Sequence, residues 1–180
     1  DGGKYNKNNS GYVHAINLLK HGANIIDIGG ESTRPGSKEI NTKDEWNRIG
    51  PTLQKLKTKN IPISLDTRKS EIVSNAIKFK IKLINDISGL KFDDQIIKII
   101  KKAKIPFVIH HIQGSPTNMQ KNPKYKNELL DIYDYFEDRL NYIRGEGVKH
   151  ANIIIDPGIG FGKNLKHNIT LISKISIFHS

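Results

Sequence analysis

Short apolar runs alternate with longer stretches in which apolar residues recur every three or four positions, and the alternation continues along the whole chain. The runs at residues 25–30, 61–66, 83–87, 105–111 and 153–156 predict strands. The first helical stretch starts near Gly11, aligns Tyr12, Ala15, Ile16 and Leu19, and ends at His21-Gly22. The second carries Trp46, Ile49, Leu53 and Leu56. It is expected to open with a capping box at Thr42-Lys43-Asp44-Glu45 and to kink or restart at Pro51. Further helices are expected around Ile72 to Ile77, Ile96 to Ile100 and Glu128 to Arg144, and from Leu165. Each strand is an apolar run without in–out alternation, which predicts burial on both faces and a parallel α/β sheet. A polar segment at 113–127, with Pro116 and Pro123, is expected to be a mobile connection. No linker-like or low-complexity stretch interrupts the pattern, so one domain over residues 1–180 is expected.

Composition narrows the partners. Lys and Arg number 29 against 18 Asp and Glu, a net charge of +11. The lysines at 78, 80, 82, 98, 101, 102 and 104 sit between apolar residues at helical spacing, as on a solvated helix face, and no aromatic residues interleave with them. Nucleic acid is therefore not an expected partner. Absence of cysteine excludes disulfides and thiolate metal sites. No apolar run approaches the roughly 20 residues that span a bilayer, and no signal-like start is visible, so no membrane partner is expected.

The polar residues at the strand ends carry the chemistry. These ends read Gly30-Glu31 with Thr33-Arg34, then Asp66-Thr67, Asn85-Asp86, His110-His111 and Asp156. In a (β/α) barrel such ends surround one mouth, whereas in an open sheet they meet at a switch point. Simpler roles compete: Asp66-Thr67 as a helix cap, Asn85-Asp86 as a turn, Arg34 as a surface residue. Adjacent strand residues face opposite ways, so His110 and His111 are not expected to bind one metal. The loop from Pro157 to Lys163 lacks the first glycine of a P-loop, and Asn164 follows where Ser or Thr is needed. Two carboxylates (Asp66, Asp156) and an amide (Asn85) suit the N–H donors of a flat heterocycle such as an aminopyrimidine, and Thr33 with Arg34 suits an adjoining anion.

Asp1-Gly2-Gly3, the stretch Gly29 to Gly36, Ser64-Leu65-Asp66-Thr67, Ile84-Asn85-Asp86-Ile87-Ser88-Gly89 and Asp156 to Lys163 closely resemble, in order and spacing, the dihydropteroate synthases. These are folate-pathway enzymes inhibited by sulfonamides. The resemblance implies a partial TIM (β/α)8 barrel, with about five of eight parallel strands in this chain. It also implies a cytoplasmic transferase, homodimeric at full length, that works with Mg²⁺. Its substrates would be 6-hydroxymethyl-7,8-dihydropterin diphosphate and p-aminobenzoate, its products 7,8-dihydropteroate and pyrophosphate. By motif position, Asp66, Asn85 and Asp156 would hold the pterin, with Ile87 and Phe161 lining its slot. Thr33, Arg34 and Pro35 would form a mobile loop that meets the diphosphate and shapes the p-aminobenzoate site. Asp66 would also be catalytic, helping to stabilise the cation left when pyrophosphate departs.

The chain departs from the family in three places. His110 stands where the family usually has methionine, which would make that wall of the slot more polar. The family's first strand, ending Asn-Val-Thr-Pro-Asp-Ser-Phe-Ser, would lie upstream of Asp1 and would supply the asparagine metal ligand, leaving none expected in this chain. The two final strands, with their lysine and Arg-x-His, are also missing. The 180-residue polypeptide by itself is accordingly expected to bind pterin weakly, with little synthase activity. A pterin-binding methyltransferase domain is a second reading, against which the Thr33-Arg34-Pro35-Gly36 loop argues. A non-catalytic pterin-binding fragment is a third.

Overall fold

A computed structural model describes residues 4–5 and 9–179; the Asp1-Gly2-Gly3 motif lies outside the described residues. Five strands alternate with six α-helices: α1 (Ser10–Lys20), β1 (Ile26–Gly29), α2 (Thr42–Leu56), β2 (Ile63–Asp66), α3 (Ser70–Ala76), β3 (Ile81–Asp86), α4 (Ile96–Ala103), β4 (Phe107–His110), α5 (Glu128–Gly145), β5 (Ile153–Asp156) and α6 (Leu165–Ser173). Every predicted strand and helix is present, with β3 starting earlier than its apolar run suggested.

The strands pair in parallel and in chain order, β1-β2-β3-β4-β5. A doubly wound sheet reverses its strand order at a switch point, and this sheet does not. The order is that of a barrel wall, and with five strands paired the barrel is partial.

The expectation that both strand faces are buried holds for one of them. Ile26, Ile28, Ile63, Leu65, Ile84, Phe107 and Ile109 pack outward against the helices, meeting Leu53 and Leu56 of α2, Ile72 of α3, Ile100 of α4 and Ile132 of α5. The other face is polar and partly open: Asp27 and Gly29 on β1 are exposed, and Ile154 on β5 is 46% exposed. β1 and β5 are the sheet's edges, so each lacks a paired neighbour on one side to cover its inward residues. On the packed face, Ile72→Val should cost about 1 kcal/mol for a deleted methyl at a fully buried site, read from urea unfolding.

Local signals were read slightly out of place. The N-cap of α2 is Asn41, whose side chain accepts from the Asp44 N–H at 2.8 Å, one residue ahead of the expected capping box. Pro51 neither ends nor restarts α2, which runs through it with the proline exposed. The 113–127 segment is tied down. Gln113 exchanges hydrogen bonds with the Lys124 backbone, Gln120 donates to the Gly160 carbonyl, and the Tyr125 hydroxyl donates to the Gly162 carbonyl.

Candidate active site

Register places the candidate residues. Gly29, Asp66 and Asn85 are aligned across β1, β2 and β3; Asp27 pairs with Ser64 two residues earlier, and His110 pairs with Asp156 across β4 and β5. Side chains alternate along a strand, so Asp27, Ser64, Asp66, Asn85, His110 and Asp156 all belong to the inner face. Asp86 takes the other face. It is fully buried and accepts from the Ser88 N–H and hydroxyl and the Leu90 N–H, so it shapes a turn while its neighbour Asn85 faces inward.

Asp66 sits among acids. Burial, followed by the charges of Asp27, Glu45, Asp86 and Glu31, pushes its carboxyl up to about 8. Asp27 is open to solvent along the sheet edge, yet the surrounding protein partly desolvates its carboxyl and raises it, against hydrogen bonds with Ser64 and Asn85 that oppose the rise. Asp27 was not singled out from the sequence because it lies inside an apolar run, before the strand end. Counting back by two from Gly29 would have found it.

The paired glycines Gly29 and Gly30 make room for packing and are not needed for an unusual backbone conformation. Neither has a positive φ. A Cβ at Gly29 would lie 3.0 Å from an Asp66 carboxylate oxygen, and one at Gly30 would lie 2.8 Å from the Glu45 backbone oxygen. Their bareness lets Asp66 and α2 pack against the end of β1. The competing role of Asp66-Thr67 as a helix cap is not seen: α3 has no side-chain cap from its N-cap residue Lys69, and the Thr67 hydroxyl donates to Glu45 at 2.6 Å.

A cavity of about 350 Å³ runs along β1, lined among others by Asp27, Gly29, Thr33, Arg34, Arg48 and Asp66. It joins the loop residues to the first carboxylates and is large enough for a small ligand. Asn85, Ile87, Asp156 and Phe161 do not line it; Asn85 and Asp156 lie further round the inner face, on β3 and β5. Pro35 is exposed at the loop tip beside Arg34.

On the far side, Asp156 accepts from the Gly158 N–H at 2.8 Å, and His110 meets the edge of Phe161 with ring centroids 4.5 Å apart. His110 is buried, and burial lowers its imidazole below the usual range, so at neutral pH it is an uncharged ring against Phe161. His111 packs away from this face. The Lys163 ammonium lies 2.9 Å from His111 Nδ1 and donates to the Phe161 carbonyl at 2.9 Å. Burial drives Lys163 down to about 7, while burial and the Lys163 charge bring His111 to about 3. His111 is therefore a neutral acceptor at Nδ1, and Lys163 straps the loop after β5 to the end of β4. In the sequence Lys163 ends a matched family motif and argues against a P-loop, but nothing local marks its partner His111.

A lysine more readily charged unfolded than folded makes stability rise with pH, here between about 7 and 10.5. Lys163→Met should flatten that rise, which urea melts at pH 7 and 9 would reveal.

Among the described residues, no group of three or more His, Asp or Glu side chains is placed to hold a metal ion. Among them, also, no helix is long and apolar enough to cross a membrane.

A family model for pterin binding enzymes matches residues 1–180. The chain belongs to that family. It is 40% identical over 174 residues to a dihydropteroate synthase of Neisseria meningitidis serogroup C, covering 96% of this chain and 62% of that protein. The Yersinia pestis dihydropteroate synthase, solved as a complex with a sulfonamide drug, superposes with a TM-score of 0.93 at 36% identity, over 99% of this chain and 65% of that one. The enzyme from Clostridium difficile, solved in the presence of pteroic acid, gives 0.85 at 34% identity, over 95% and 64%. The resemblance to dihydropteroate synthases and the partial TIM barrel are both borne out. The chain spans about three fifths of the length of the relatives it matches.

Proposed function

We propose that this pterin-binding family member is dihydropteroate synthase, joining 6-hydroxymethyl-7,8-dihydropterin diphosphate to p-aminobenzoate and releasing pyrophosphate. The observation that carries this reading is the shared inner face. Asp66 and Asn85 stand side by side in register, Asp156 lies on the same face, and Thr33 and Arg34 share a cavity with Asp66. Pteroic acid and a sulfonamide in the relatives' structures support both halves of the substrate pair.

In this reading the carboxylates and amide accept and donate along the polar edge of the pterin, with Ile87 and Phe161 against its faces. Thr33, Arg34 and Pro35 meet the diphosphate and frame the arylamine. The C–O bond to pyrophosphate breaks with its electron pair leaving on the diphosphate. The amine nitrogen then attacks the methylene carbon and loses its proton, and no covalent enzyme intermediate is needed. Asp66, once ionised, lies where positive charge develops on the pterin. Magnesium commonly binds through substrate phosphates with one or two protein carboxylates. Mg²⁺ arriving with the diphosphate is therefore consistent with the lack of a side-chain cage among the described residues, and no step is assigned to it. A cytoplasmic location and a dimer belong to the same reading; light scattering tests the dimer.

The deciding assay measures pyrophosphate release from the pterin diphosphate with and without p-aminobenzoate. Release that depends on the arylamine supports the synthase. Pterin binding without release favours a non-catalytic pterin binder, and no pterin binding overturns the proposal. The methyltransferase reading is disfavoured by the cavity that Thr33 and Arg34 share with Asp66.

A further inference from the structure

Behind the loop that carries Thr33 and Arg34 lies a buried ionic cluster that the chemistry above does not use. Its centre is Lys69, buried just past the end of β2. The Lys69 ammonium donates to Glu31 at 2.5 Å, to Glu45 at 2.7 Å and to the Ile40 carbonyl at 2.7 Å. Glu31 opens the loop, Ile40 closes it, and Glu45 belongs to α2. One cation therefore holds both ends of the loop against a helix that is part of the core.

The remaining valences are filled. Arg68 approaches the other Glu31 oxygen at 2.6 Å and 2.8 Å and stacks 3.9 Å over the ring of Phe92. Thr67 satisfies the second Glu45 oxygen, and Arg48 donates to the Gly30 carbonyl at 2.9 Å. The loop tip contrasts with this base. Arg34, Pro35 and Gly36 are exposed, and the Gly36 N–H reaches across to the Pro116 carbonyl at 2.8 Å.

Burying these charges costs desolvation that an apolar cluster of similar volume would avoid, so stability alone is a poor account of them. Geometry is a better one. We propose that Lys69 is a positioning residue: it clamps both ends of the Glu31–Ile40 loop to α2, so that Thr33 and Arg34 are held beside Asp66. The ligand consequences rest on the synthase reading; the clamp itself does not.

Two measurements separate them. Hydrogen–deuterium exchange of the unliganded protein should show residues 31–41 exchanging at least tenfold faster in Lys69→Met, with β3 and α4 unchanged. Trypsin should then cut sooner after the exposed Lys38, since Pro35 blocks cleavage after Arg34. Glu31→Gln weakens the Lys69 and Arg68 contacts to the start of the loop and leaves the Lys69–Glu45 pair in place. It should give the same local loosening, and it decides the matter if Lys69→Met loosens the whole chain. Unchanged exchange at 31–41 in Glu31→Gln overturns the clamp. For the ligand arm, the affinity for inorganic pyrophosphate should fall at least tenfold in Glu31→Gln, with 6-hydroxymethylpterin affinity changed less than threefold. Equal losses of both ligands would overturn the positioning role. Failure of the unsubstituted protein to bind either ligand would overturn the synthase reading, while the exchange result would still decide the clamp.

Discussion

Asp66→Asn should weaken pterin binding about 100-fold, the loss of about 2–3 kcal/mol expected when a charged acceptor becomes a neutral amide. The same substitution should change how binding depends on pH. Burial and the surrounding acids Asp27, Glu45, Asp86 and Glu31 push the Asp66 carboxyl up to about 8, so at pH 7 it holds its proton while the site is empty. A ring that presents N–H donors needs the ionised form. Apparent affinity should therefore weaken about tenfold for each pH unit below 8, as the competent fraction shrinks. Calorimetric titration with 6-hydroxymethylpterin between pH 6 and 7.5 should show this slope in the unsubstituted protein and none in Asp66→Asn. A slope that survives the substitution would assign the titration to another group.

Stability should move in the opposite direction. The folded carboxyl titrates above its ordinary 3.8, so its stabilising contribution is complete below that value and is lost as pH rises toward about 8. Asn never ionises. The melting temperature of Asp66→Asn relative to the unsubstituted protein should therefore climb from pH 6 to pH 9. A residue that lowers stability when ionised and improves ligand binding fits a site tuned for function.

Gly158→Ala should be strongly destabilising, since its added Cβ makes the closest contact found for any glycine among the described residues. Gly158 has a φ of +69°, where an L side chain is strained by about 1–2 kcal/mol. Its added Cβ would also come within 2.0 Å of the His111 carbonyl oxygen, and both sides of that contact are backbone. Neither can yield cheaply. The Gly158 N–H is itself bonded to Asp156, and the loop is strapped to β4 through Lys163. Relief must come from moving the loop, which carries Phe161 away from His110. A total loss of about 4 kcal/mol in urea unfolding is expected, together with weaker pterin binding. Gly160→Ala is the control. Gly160 also has a positive φ, +84°, but its added Cβ would meet nothing within 4 Å, so only the conformational strain should remain.

The elements were legible because their signals are local. An apolar run giving way to glycine or polar residues marks a strand delivering a loop; β2, β3 and β4 run into a polar pair, β5 into Asp156 alone and β1 into Gly29-Gly30 before Glu31. Asp66, Asn85 and Asp156 could be named as candidate site residues from strand-end position and family resemblance together. The misplaced features have local physical reasons. Asn41 outcompeted Thr42 as a cap because its side chain reaches the Asp44 N–H. Pro51 fits inside α2 because it lies on an exposed face. The polar 113–127 segment looked free because its anchors, Gly160 and Gly162, are 40 and 37 residues away in the chain.

The sequence by itself determined the strand–helix alternation, the parallel sheet and the residue types gathered at the strand ends, since each depends on spacing within a few residues. Tertiary structure alone decided the rest. Strand order chose a barrel wall over a doubly wound sheet, because pairing is a long-range property that local periodicity does not encode. Register separated Asn85 from Asp86 and brought Asp27 onto the face of Asp66, because one step along a strand reverses a side chain. Proximity across the fold joined Lys69 to Glu31, Glu45 and Ile40, and Lys163 to His111. Charges of opposite sign far apart in the chain carry no mark of their pairing until folding removes the water between them.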